Sequence, residues 1–515
     1  MLNLSNILED SARRYPSKDA FIFLDTHISF AQLNGAANQI ANGLKAKGIK
    51  PGDKIALSCL NVPYFPMIYF GIMKAGAVVV PLSVLLKRDE VAYHLSDSDS
   101  KAYFCFLGAP GLPMLEEGYA GFQHASQCEH LFVITAKPGD PSPIEGLSTL
   151  GSLMKDQSPA FPTVSTSAED TAVIIYTSGT TGKPKGAELT HSNLFLNAMI
   201  STGISDIALE DVQLIVLPLF HIFAMTCLMN AGVYKGATSV LLPRFDAEAV
   251  LDLMNKHKVS VFAGVPTMYW GLLNYENTKF DLGEISKNLR SCVSGGASLP
   301  IAVLEGFEEK FNVEIFEGYG MSEGSPVVTF NQKETGRKPG SVGTPVWGVE
   351  VKLVDADGKE VPVGEKGELI YKGHNVTKGY YKKPEANKVS LKDGWLYSGD
   401  VAVKDEDGFY YIVDRTKDMI IRGGLNVYPR EVEEVIIKHD AVSLVAVIGV
   451  PDDQYGEEIK AFVVLNEGKN VTEDELRTYT KEHIAAYKYP RVIEFLDALP
   501  MSATGKILKK ELRKS

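Results

Sequence analysis

The stretch YTSGTTGKPKG, residues 176–186, contains three glycines, three threonines, one serine and two lysines within eleven residues. One interpretation is an exposed loop, because Gly, Ser and Thr are common in loops of every kind. The other is a phosphate-binding loop, in which backbone N–H groups and hydroxyls donate to an anion and a lysine adds positive charge. The stretch differs from a Walker A loop, since Pro184 stands where Ser or Thr would bind magnesium.

The sequence on both sides of this stretch predicts a fold. TAVIIY, residues 171–176, is a short apolar run typical of a buried strand. Up to about residue 340, similar runs alternate with helical patterns, which favours α/β layers around a mainly parallel sheet. From about 341 to 414, short alternating runs separated by Asp-Gly pairs predict a β-barrel-like antiparallel module. We therefore predict an α/β fold, with a large N-terminal domain of layered α/β subdomains plus the β module (1–414).

A second domain follows this part of the chain. After residue 418 the pattern restarts with a helix, two strands and a helix, which predicts a small α+β domain over residues 419–515. The joint between the two domains is predicted at residues 415–418. No internal repeat or low-complexity tract is present in the sequence.

Composition excludes several classes of protein. The 515 residues carry a net charge of −12, which argues against general nucleic-acid binding. The five cysteines contain no CxxC pair and the histidines no HExxH motif, so neither a disulfide framework nor a zinc site is indicated. No signal peptide is recognisable, and the most apolar window, residues 71–86, is broken by Lys74 and Pro81. These features predict a cytoplasmic protein without a transmembrane segment; peripheral membrane contact and a homodimer are both compatible with them.

The opening stretch is the first of six fragments that occur in this order along the chain: YTSGTTGKPKG, LPLFHIF (217–223), GYGMSE (318–323), YSGD (397–400), DRTKDMIIRGG (414–424) and ATGKILKKELR (503–513). Together they resemble the adenylate-forming superfamily of acyl-CoA synthetases, luciferases and peptide-synthetase adenylation domains. The resemblance covers essentially the whole chain. FAGVPTMY, SGGASLP, GYYKKPEA and GGLNVYPREVEE make it most similar to bacterial long-chain fatty-acid–CoA ligases.

The resemblance implies a two-step reaction that uses ATP, Mg²⁺ and coenzyme A. A carboxylate attacks the α-phosphate of ATP to form an acyl-adenylate and pyrophosphate, and the thiol of CoA then displaces AMP. The resemblance also implies an ATP and AMP site made from the following residues: Thr177, Ser178, Gly179, Thr180, Thr181, Lys185, Gly296, Ala297, Glu317, Gly318, Tyr319, Ser322, Asp400 and Arg415.

The resemblance also implies a role for individual residues, among them Glu323, which is outside the ATP and AMP set. Glu323 would bind magnesium as a hard oxygen ligand, although an isolated Glu is usually a solvated surface residue. Tyr319 would stack on adenine, and Asp400 would accept both ribose hydroxyls, although Asp beside Gly commonly caps a turn. Arg415 would contact the same ribose, although a surface salt bridge is the simpler interpretation.

Lys506 carries the catalytic role that the resemblance implies. Taken alone, a lysine near a basic C-terminus is a solvated residue. By resemblance it bridges the substrate carboxylate and the α-phosphate, so it should act on rate more than on binding. Lys417 occupies the position of the hinge. Rotation there would withdraw Lys506 and bring Gly423 and Gly424 to the CoA tunnel.

The predicted acid pocket consists of a histidine and mostly apolar residues. A lone histidine among apolar residues, such as His221, is more often a packed core residue than a catalyst. The resemblance places it at the junction of the acyl and CoA channels, without a role as general base. The predicted acyl pocket comprises His221, Phe223, Met225, Val265, Gly295 and Met321.

Several functions stay open at this point. A long-chain fatty acid is the predicted substrate, and a medium-chain or aryl (4-coumarate-like) acid fits the same motifs. An adenylation enzyme that loads a carrier protein is a rival, although only nine residues follow Lys506 and we expect no appended carrier. A luciferase-like oxidative enzyme shares every motif. A nucleotide sensor without chemistry would tend to lose Lys506, Glu323 or the phosphate loop, and all three are present.

Overall fold

The computed structural model describes residues 2–177, 183–415 and 417–513. Its α-helices are α1 (Asn6–Arg14), α2 (Phe30–Ala46), α3 (Tyr64–Lys74), α4 (Arg88–Asp97), α5 (Met114–Gln123), α6 (Leu150–Met154), α7 (His191–Ile204), α8 (Ala231–Lys235), α9 (Ala247–His257), α10 (Pro266–Asn274), α11 (Leu282–Asn288), α12 (Ile301–Phe311), α13 (Pro384–Ser390), α14 (Pro429–Ile436), α15 (Glu473–His483) and α16 (Lys509–Leu512).

The strands are β1 (Asp19–Phe23), β2 (Thr26–Ser29), β3 (Lys54–Ser58), β4 (Val78–Pro81), β5 (Ser100–Phe106), β6 (His130–Ile134), β7 (Ser148–Thr149), β8 (Thr171–Thr177), β9 (Lys185–Thr190), β10 (Val212–Ile215), β11 (Thr238–Leu241), β12 (Val261–Gly264), β13 (Ser291–Ser294), β14 (Ile315–Gly320), β15 (Val327–Phe330), β16 (Thr344–Pro345), β17 (Val349–Val354), β18 (Lys366–Gly373), β19 (Gly379–Tyr380), β20 (Leu391–Lys392), β21 (Trp395–Lys404), β22 (Tyr410–Arg415), β23 (Ile420–Arg422), β24 (Leu425–Val427), β25 (Val442–Asp452), β26 (Gly456–Leu465) and β27 (Val492–Phe495).

Two large sheets form the layered part of the chain. A nine-stranded sheet has the order β16-β15-β14-β13-β12-β10-β11-β1-β2, and an eight-stranded sheet has the order β19-β9-β8-β4-β3-β5-β6-β7. Their central pairs, such as β12 with β13 and β3 with β4, are parallel. Parallel neighbours require crossover connections, and helices such as α3 and α10 supply them. The predicted α/β fold class is confirmed.

One apolar core holds these layers together. It includes Phe70 of α3, Val173 of β8, Leu214 of β10, Phe262 of β12 and Ile315 of β14, all buried. Burial of such side chains contributes about 1.5–3 kcal/mol each relative to exposure. The carboxyl ends of the strands of a parallel sheet meet at one edge, and the motifs after β12, β13 and within β14 therefore come together there.

The segment predicted as an antiparallel β module also pairs with the two large sheets. Strands β17, β18, β20, β21 and β22 form an antiparallel five-stranded sheet. However, β16 pairs with β15 of the nine-stranded sheet, and β19 pairs with β9 of the eight-stranded sheet. The reason is that two-residue strands are stabilised by the edge of a larger sheet more than by one another, which the local pattern cannot reveal.

A helical pattern also takes a form that the sequence did not predict. Residues 225–236 have the composition of a helix, but the chain forms a π-helix, Phe223–Asn230, before α8 begins. Such wide turns are rare and occur mostly at functional sites. This π-helix begins two residues after His221.

The last part of the chain has its own core. Strands β23 to β27 form a second five-stranded sheet, on which α14 and α15 pack. Its buried side chains include Val432, Val447, Ala461 and Leu476. Helix α15 begins with a capping box between Thr472 and Glu475, which stabilises its first turn by about 1 kcal/mol. The predicted order of helix, two strands and helix is present.

Candidate active site

A tyrosine, an aspartate and an arginine form the first polar group of the site. Asp400 of β21 lies opposite Arg415 of β22 in their antiparallel register. The Tyr319 hydroxyl donates to Asp400 Oδ2 at 2.5 Å, and Arg415 Nε lies 3.3 Å from Asp400 Oδ1. Burial and the charge of Asp400 together raise the pKa of Tyr319 well above its usual value, so its hydroxyl remains a donor. The carboxylate is therefore fixed from two sides.

A glutamate, a tyrosine and a lysine form the second group. Glu323 belongs to a short 3-10 helix, Ser322–Gly324, and is buried. The Tyr380 hydroxyl donates to Glu323 Oε1 at 2.8 Å. Lys185, the first residue of β9, holds its ammonium nitrogen 4.7 Å from the centre of the Tyr380 ring. A carboxylate and an ammonium group thus lie against the same aromatic side chain.

Lys506 reaches the site from the C-terminal part of the chain. A Cβ atom on Gly296 would lie 3.1 Å from Lys506 Cε and 3.6 Å from its Nζ, so the lysine passes directly over this glycine. The turn before it is anchored, because Thr267 Oγ1 donates to the Gly505 carbonyl at 3.1 Å. Burial, and then the charge of Arg415, lower the pKa of Lys506 to about 8. At physiological pH the ammonium form of Lys506 still predominates, but it loses its proton far more readily than an exposed lysine does.

Other contacts hold the two parts of the chain in this arrangement. Lys366 of β18 forms an ion pair with Glu431 of α14 at 2.7 Å, and its ammonium lies 3.9 Å from the centre of the Tyr428 ring. The Arg430 N–H donates to Asp414 Oδ2 at 3.1 Å. The C-terminal sheet therefore packs with Lys506 inside the site.

Lys417, predicted as the hinge, lies close to the same cations. Desolvation and the charges of Arg415 and Lys185 lower the pKa of Lys417. Lys185, Arg415, Lys417 and Lys506 accordingly form a cluster of positive charge around two carboxylates. Such a cluster is suited to a polyphosphate, which supplies several negative charges at once.

A buried carboxyl lies at the edge of this cluster. Glu317 accepts from the Leu299 N–H at 3.0 Å, whereas its Oε2 atom has no hydrogen-bond partner among the described residues. Burial raises the pKa of Glu317 to about 7. Ser294 lies beside Glu317 in the parallel register of β13 and β14, and its buried hydroxyl also has no partner within the described part of the chain. Two buried polar groups at one edge are compatible with a bound polar ligand.

The backbone of GYGMSE is tightly packed. A Cβ on Gly318 would approach Phe330 to 2.4 Å, and one on Gly320 would lie 2.1 Å from the Pro326 carbonyl oxygen. Any larger residue would displace β14 from β15. These contacts fix Tyr319 between the two glycines, whereas Ser322 is half-buried at the start of the 3-10 helix and Ala297 lies in an exposed bend.

The predicted acid-pocket residues other than His221 are apolar: Met225, Val265 and Gly295 are buried, whereas Phe223 and Met321 are half-buried. Phe223 packs over Gly295, since a Cβ on this glycine would lie 3.3 Å from the phenyl ring. Val265 contacts the same loop at Gly296, and Met321 lies 4.0 Å from the Tyr319 hydroxyl. Met225, in the π-helix, is fully buried.

His221 lies at the start of this apolar region. Its Nδ1 accepts from the Phe223 N–H at 3.3 Å. Burial, followed by the nearby charge of Lys506, lowers the pKa of His221 to about 3, so the imidazole is neutral. Such a weak base cannot take a proton efficiently near neutral pH.

The remaining predicted residues lie apart or outside the described chain. Thr177, at the end of β8, pairs with Lys185, at the start of β9. The other predicted residues of the loop, Ser178, Gly179, Thr180 and Thr181, lie outside the described residues. Gly423 and Gly424 have φ of 58° and 80° in the turn between β23 and β24. No described atom lies within 4 Å of a Cβ on Gly424.

Sequence reasoning missed three residues of the site. Tyr380 contacts both Glu323 and Lys185, Thr267 anchors the turn before Lys506, and Tyr371 is fully buried beside Gly324. The fragment GYYKKPEA contains Tyr380, and FAGVPTMY contains Thr267. The fragments were therefore available as a signal, but the contacts depend on pairing between distant strands.

The donor set fits magnesium as well as a nucleotide. Mg²⁺ is usually held by one or two carboxylates together with phosphates and water. Glu323 supplies one such carboxylate next to the cationic cluster. Among residues 2–177, 183–415 and 417–513, no group of three or more His, Cys, Asp and Glu forms a metal cage. No described helix is long and apolar enough to cross a membrane.

Comparison with known proteins adds independent findings. Residues 8–381 match the model of the AMP-binding enzyme family, and residues 431–506 match that of the AMP-binding enzyme C-terminal domain. A long-chain-fatty-acid–CoA ligase of Bacillus subtilis (strain 168) is 36% identical over 99% of this chain and 94% of its own length. A feruloyl-CoA synthase of an Amycolatopsis species is 37% identical, over 98% of this chain and 97% of its own.

Solved structures resemble the whole chain. The anthranilate CoA ligase AuaEII in complex with anthranoyl-AMP has a TM-score of 0.90 and 32% identity, covering 99% of this chain and 96% of its own. ATP-bound MatB from Rhodopseudomonas palustris also has a TM-score of 0.90 and 32% identity, covering 100% and 99%.

Proposed function

Since the chain belongs to the AMP-binding enzyme family and is an AMP-forming acid–thiol ligase that uses ATP, Mg²⁺ and CoA, we propose that its acid is a long-chain fatty acid. The observation that carries this proposal is the apolar character of Phe223 and Val265, which lie against the loop that Lys506 covers, together with Met225 in the same π-helix as Phe223 and Met321 beside Tyr319. Methionine side chains adapt to a flexible alkyl chain without offering it a hydrogen bond. The similarity to long-chain ligases supports the same choice.

An aryl acid is the second candidate. The feruloyl-CoA synthase and the anthranilate ligase are about as similar to this chain as the long-chain ligases. The feature that favours it is the ring of Phe223 over Gly295, which gives a flat surface suited to a planar substrate. Medium-chain acids and a carrier-protein thiol in the place of CoA are weaker alternatives.

In the first step, the chain's own groups position charge rather than exchange bonds. We propose that Lys185 and Thr177, with the loop between them, hold the β- and γ-phosphates. Asp400 accepts the ribose hydroxyls, Tyr319 covers the adenine, and Arg415 keeps Asp400 oriented. Glu323 would hold Mg²⁺, which neutralises charge on the departing pyrophosphate.

Lys506 acts where the new bond forms. Its ammonium would lie between the attacking carboxylate oxygen and the α-phosphate, where negative charge gathers as pyrophosphate leaves. Binding of these anions favours the charged form of an ammonium whose pKa is lowered to about 8. The neutral imidazole of His221 stays unprotonated beside it and adds no competing cation.

The second step requires a different arrangement. We propose that the part of the chain after Lys417 rotates as a unit, which withdraws Lys506 and brings Gly423 and Gly424 to the pantetheine of CoA. The open space at Gly424 suits a surface that docks only later. Thiolate attack on the acyl-adenylate carbonyl then releases AMP. The rotation must break the ion pair between Lys366 and Glu431.

The substrate proposal is tested by ATP- and CoA-dependent AMP release. Straight-chain acids from acetate to oleate are compared with benzoate, coumarate and ferulate at equal concentration. A maximum among long chains supports the fatty-acid proposal. A maximum among aryl acids overturns it in favour of the second candidate, and AMP release that needs a carrier protein overturns both.

A further inference from the structure

Tyr380 touches the two groups of the site that carry opposite charge. Its hydroxyl donates to Glu323 Oε1 at 2.8 Å, and the ammonium of Lys185 lies 4.7 Å from the centre of its ring. No ion pair between Lys185 and Glu323 exists in the part of the chain that the structure describes. Among the described residues, each of the two charged groups therefore contacts the neutral Tyr380, and they form no ion pair with each other.

The fold holds this tyrosine independently of its side-chain contacts. Strand β19 pairs with β9 so that Tyr380 lies opposite Ala187. The Tyr380 N–H donates to Asn387 Oδ1 at 2.7 Å, and the Thr377 N–H donates to the carbonyl of Glu323 at 2.8 Å. Because the backbone is fixed on both sides, the ring and the hydroxyl are placed before any nucleotide arrives.

A direct ion pair at this point would oppose the binding of magnesium and ATP. Glu323 and Lys185 both lie within reach of one side chain, and opposite charges this close attract each other strongly away from bulk water. A metal and a phosphate would have to separate the pair before either could bind. A hydroxyl donor and a ring face hold the two charges more weakly than they would hold each other.

We infer that Tyr380 is a positioning residue that keeps Glu323 and Lys185 apart and oriented for magnesium and phosphate. Its hydroxyl fixes the rotamer of Glu323 while leaving the second carboxylate oxygen for a metal. Its ring holds Lys185 on the side away from that carboxylate. This inference rests on the metal role proposed above for Glu323, and it holds for any acid substrate.

The first test separates the hydroxyl from the ring. Tyr380→Phe removes only the hydroxyl, and Tyr381→Phe is the matched control, because the Tyr381 hydroxyl donates to Asp99 at 2.7 Å instead. Mn²⁺ affinity of the enzyme–ATP complex is measured by the electron paramagnetic resonance signal of free Mn²⁺. Tyr380→Phe should weaken Mn²⁺ binding about tenfold, as loss of a partner behind a metal ligand usually does. Tyr381→Phe should not.

The second test examines the ring. ATP binding in the presence of EDTA is measured by calorimetry for Tyr380→Phe and Tyr380→Leu. The phenylalanine variant should match the wild type, whereas the leucine variant should bind metal-free ATP about threefold more weakly because Lys185 loses its aromatic contact. Thermal unfolding of each variant checks that the fold is retained.

Glu323→Gln distinguishes failure of this inference from failure of the metal proposal. If Glu323→Gln leaves Mn²⁺ affinity unchanged, the proposed metal role is wrong and the inference falls with it. If Glu323→Gln weakens Mn²⁺ binding but Tyr380→Phe does not, only the positioning role of Tyr380 is wrong. An equal loss in Tyr380→Phe and Tyr381→Phe would likewise overturn it.

Discussion

The nucleotide side of the site consists of charged and aromatic groups joined by hydrogen bonds of 2.5–2.8 Å, as between Tyr319 and Asp400 or Tyr380 and Glu323. The proposed acid side consists of apolar groups such as Met225 and Val265, whose van der Waals contacts have no preferred direction. Polar groups specify a ligand by geometry, whereas apolar walls specify only size and shape. The polar contacts proposed for the nucleotide therefore constrain a ligand more narrowly than the apolar residues proposed for the acid.

The largest effect is expected for Lys506, the cation proposed to lie between the nucleotide and the acid. Lys506→Ala should slow acyl-adenylate formation by about 10²–10³-fold, because a positioned charge at the transition state is lost. Thioester formation from supplied acyl-adenylate should be nearly unchanged. The two half-reactions are measured separately, and Lys510→Ala, at an exposed lysine nearby, is the control. Equal loss in both half-reactions would contradict the division of roles.

A smaller effect is expected at the ribose carboxylate. Asp400→Asn removes a charge held by Tyr319 and Arg415, and charge-assisted hydrogen bonds contribute about 1.5–3 kcal/mol each. The Kd for AMP should rise about tenfold or more, while relative preference among acids stays the same. Asp357→Asn, in an exposed turn, serves as the control. A change in acid preference would show that the two sides are coupled.

The pH dependence should reveal the lysine itself. Burial lowers the pKa of Lys506 to about 8, so its charge is present below this pH and is lost as the pH rises through it. The kcat/KM for adenylation should therefore decline above about pH 8, tenfold per pH unit well beyond it. Lys506→Arg should remove this limb, because guanidinium stays protonated. A limb that persists in the arginine variant would assign it to another group.

The smallest effect is expected on the acid side. Phe223→Leu removes the flat ring over Gly295, so it should lower the ratio of kcat/KM for aryl acids over oleate by about tenfold or less, the usual size of one apolar contact. The Kd for AMP should not change. Phe195→Leu alters a ring that packs against Tyr234 instead and should leave the ratio as it is. An unchanged ratio in Phe223→Leu would remove this residue from the pocket.

The sequence by itself determined the fold class and the similarity to adenylate-forming enzymes, for a reason visible in individual elements. The run before Thr177 predicts β8 because a buried strand needs consecutive apolar residues, and the polar motifs follow strand ends because glycines and hydroxyls are needed there. The motifs that contain Asp400 and Arg415 can both be recognised in the sequence. Each is encoded by neighbouring residues, so local reading is sufficient.

Only the tertiary structure decided how these pieces meet. The pairing of β19 with β9 that brings Tyr380 to Glu323 and the passage of Lys506 over Gly296 both join residues far apart in the chain. Such contacts depend on strand register and on the arrangement of the two parts of the chain, which local patterns do not encode. The lowered pKa values of Lys506 and His221 have the same origin, because burial is a property of the packed molecule and not of the motif.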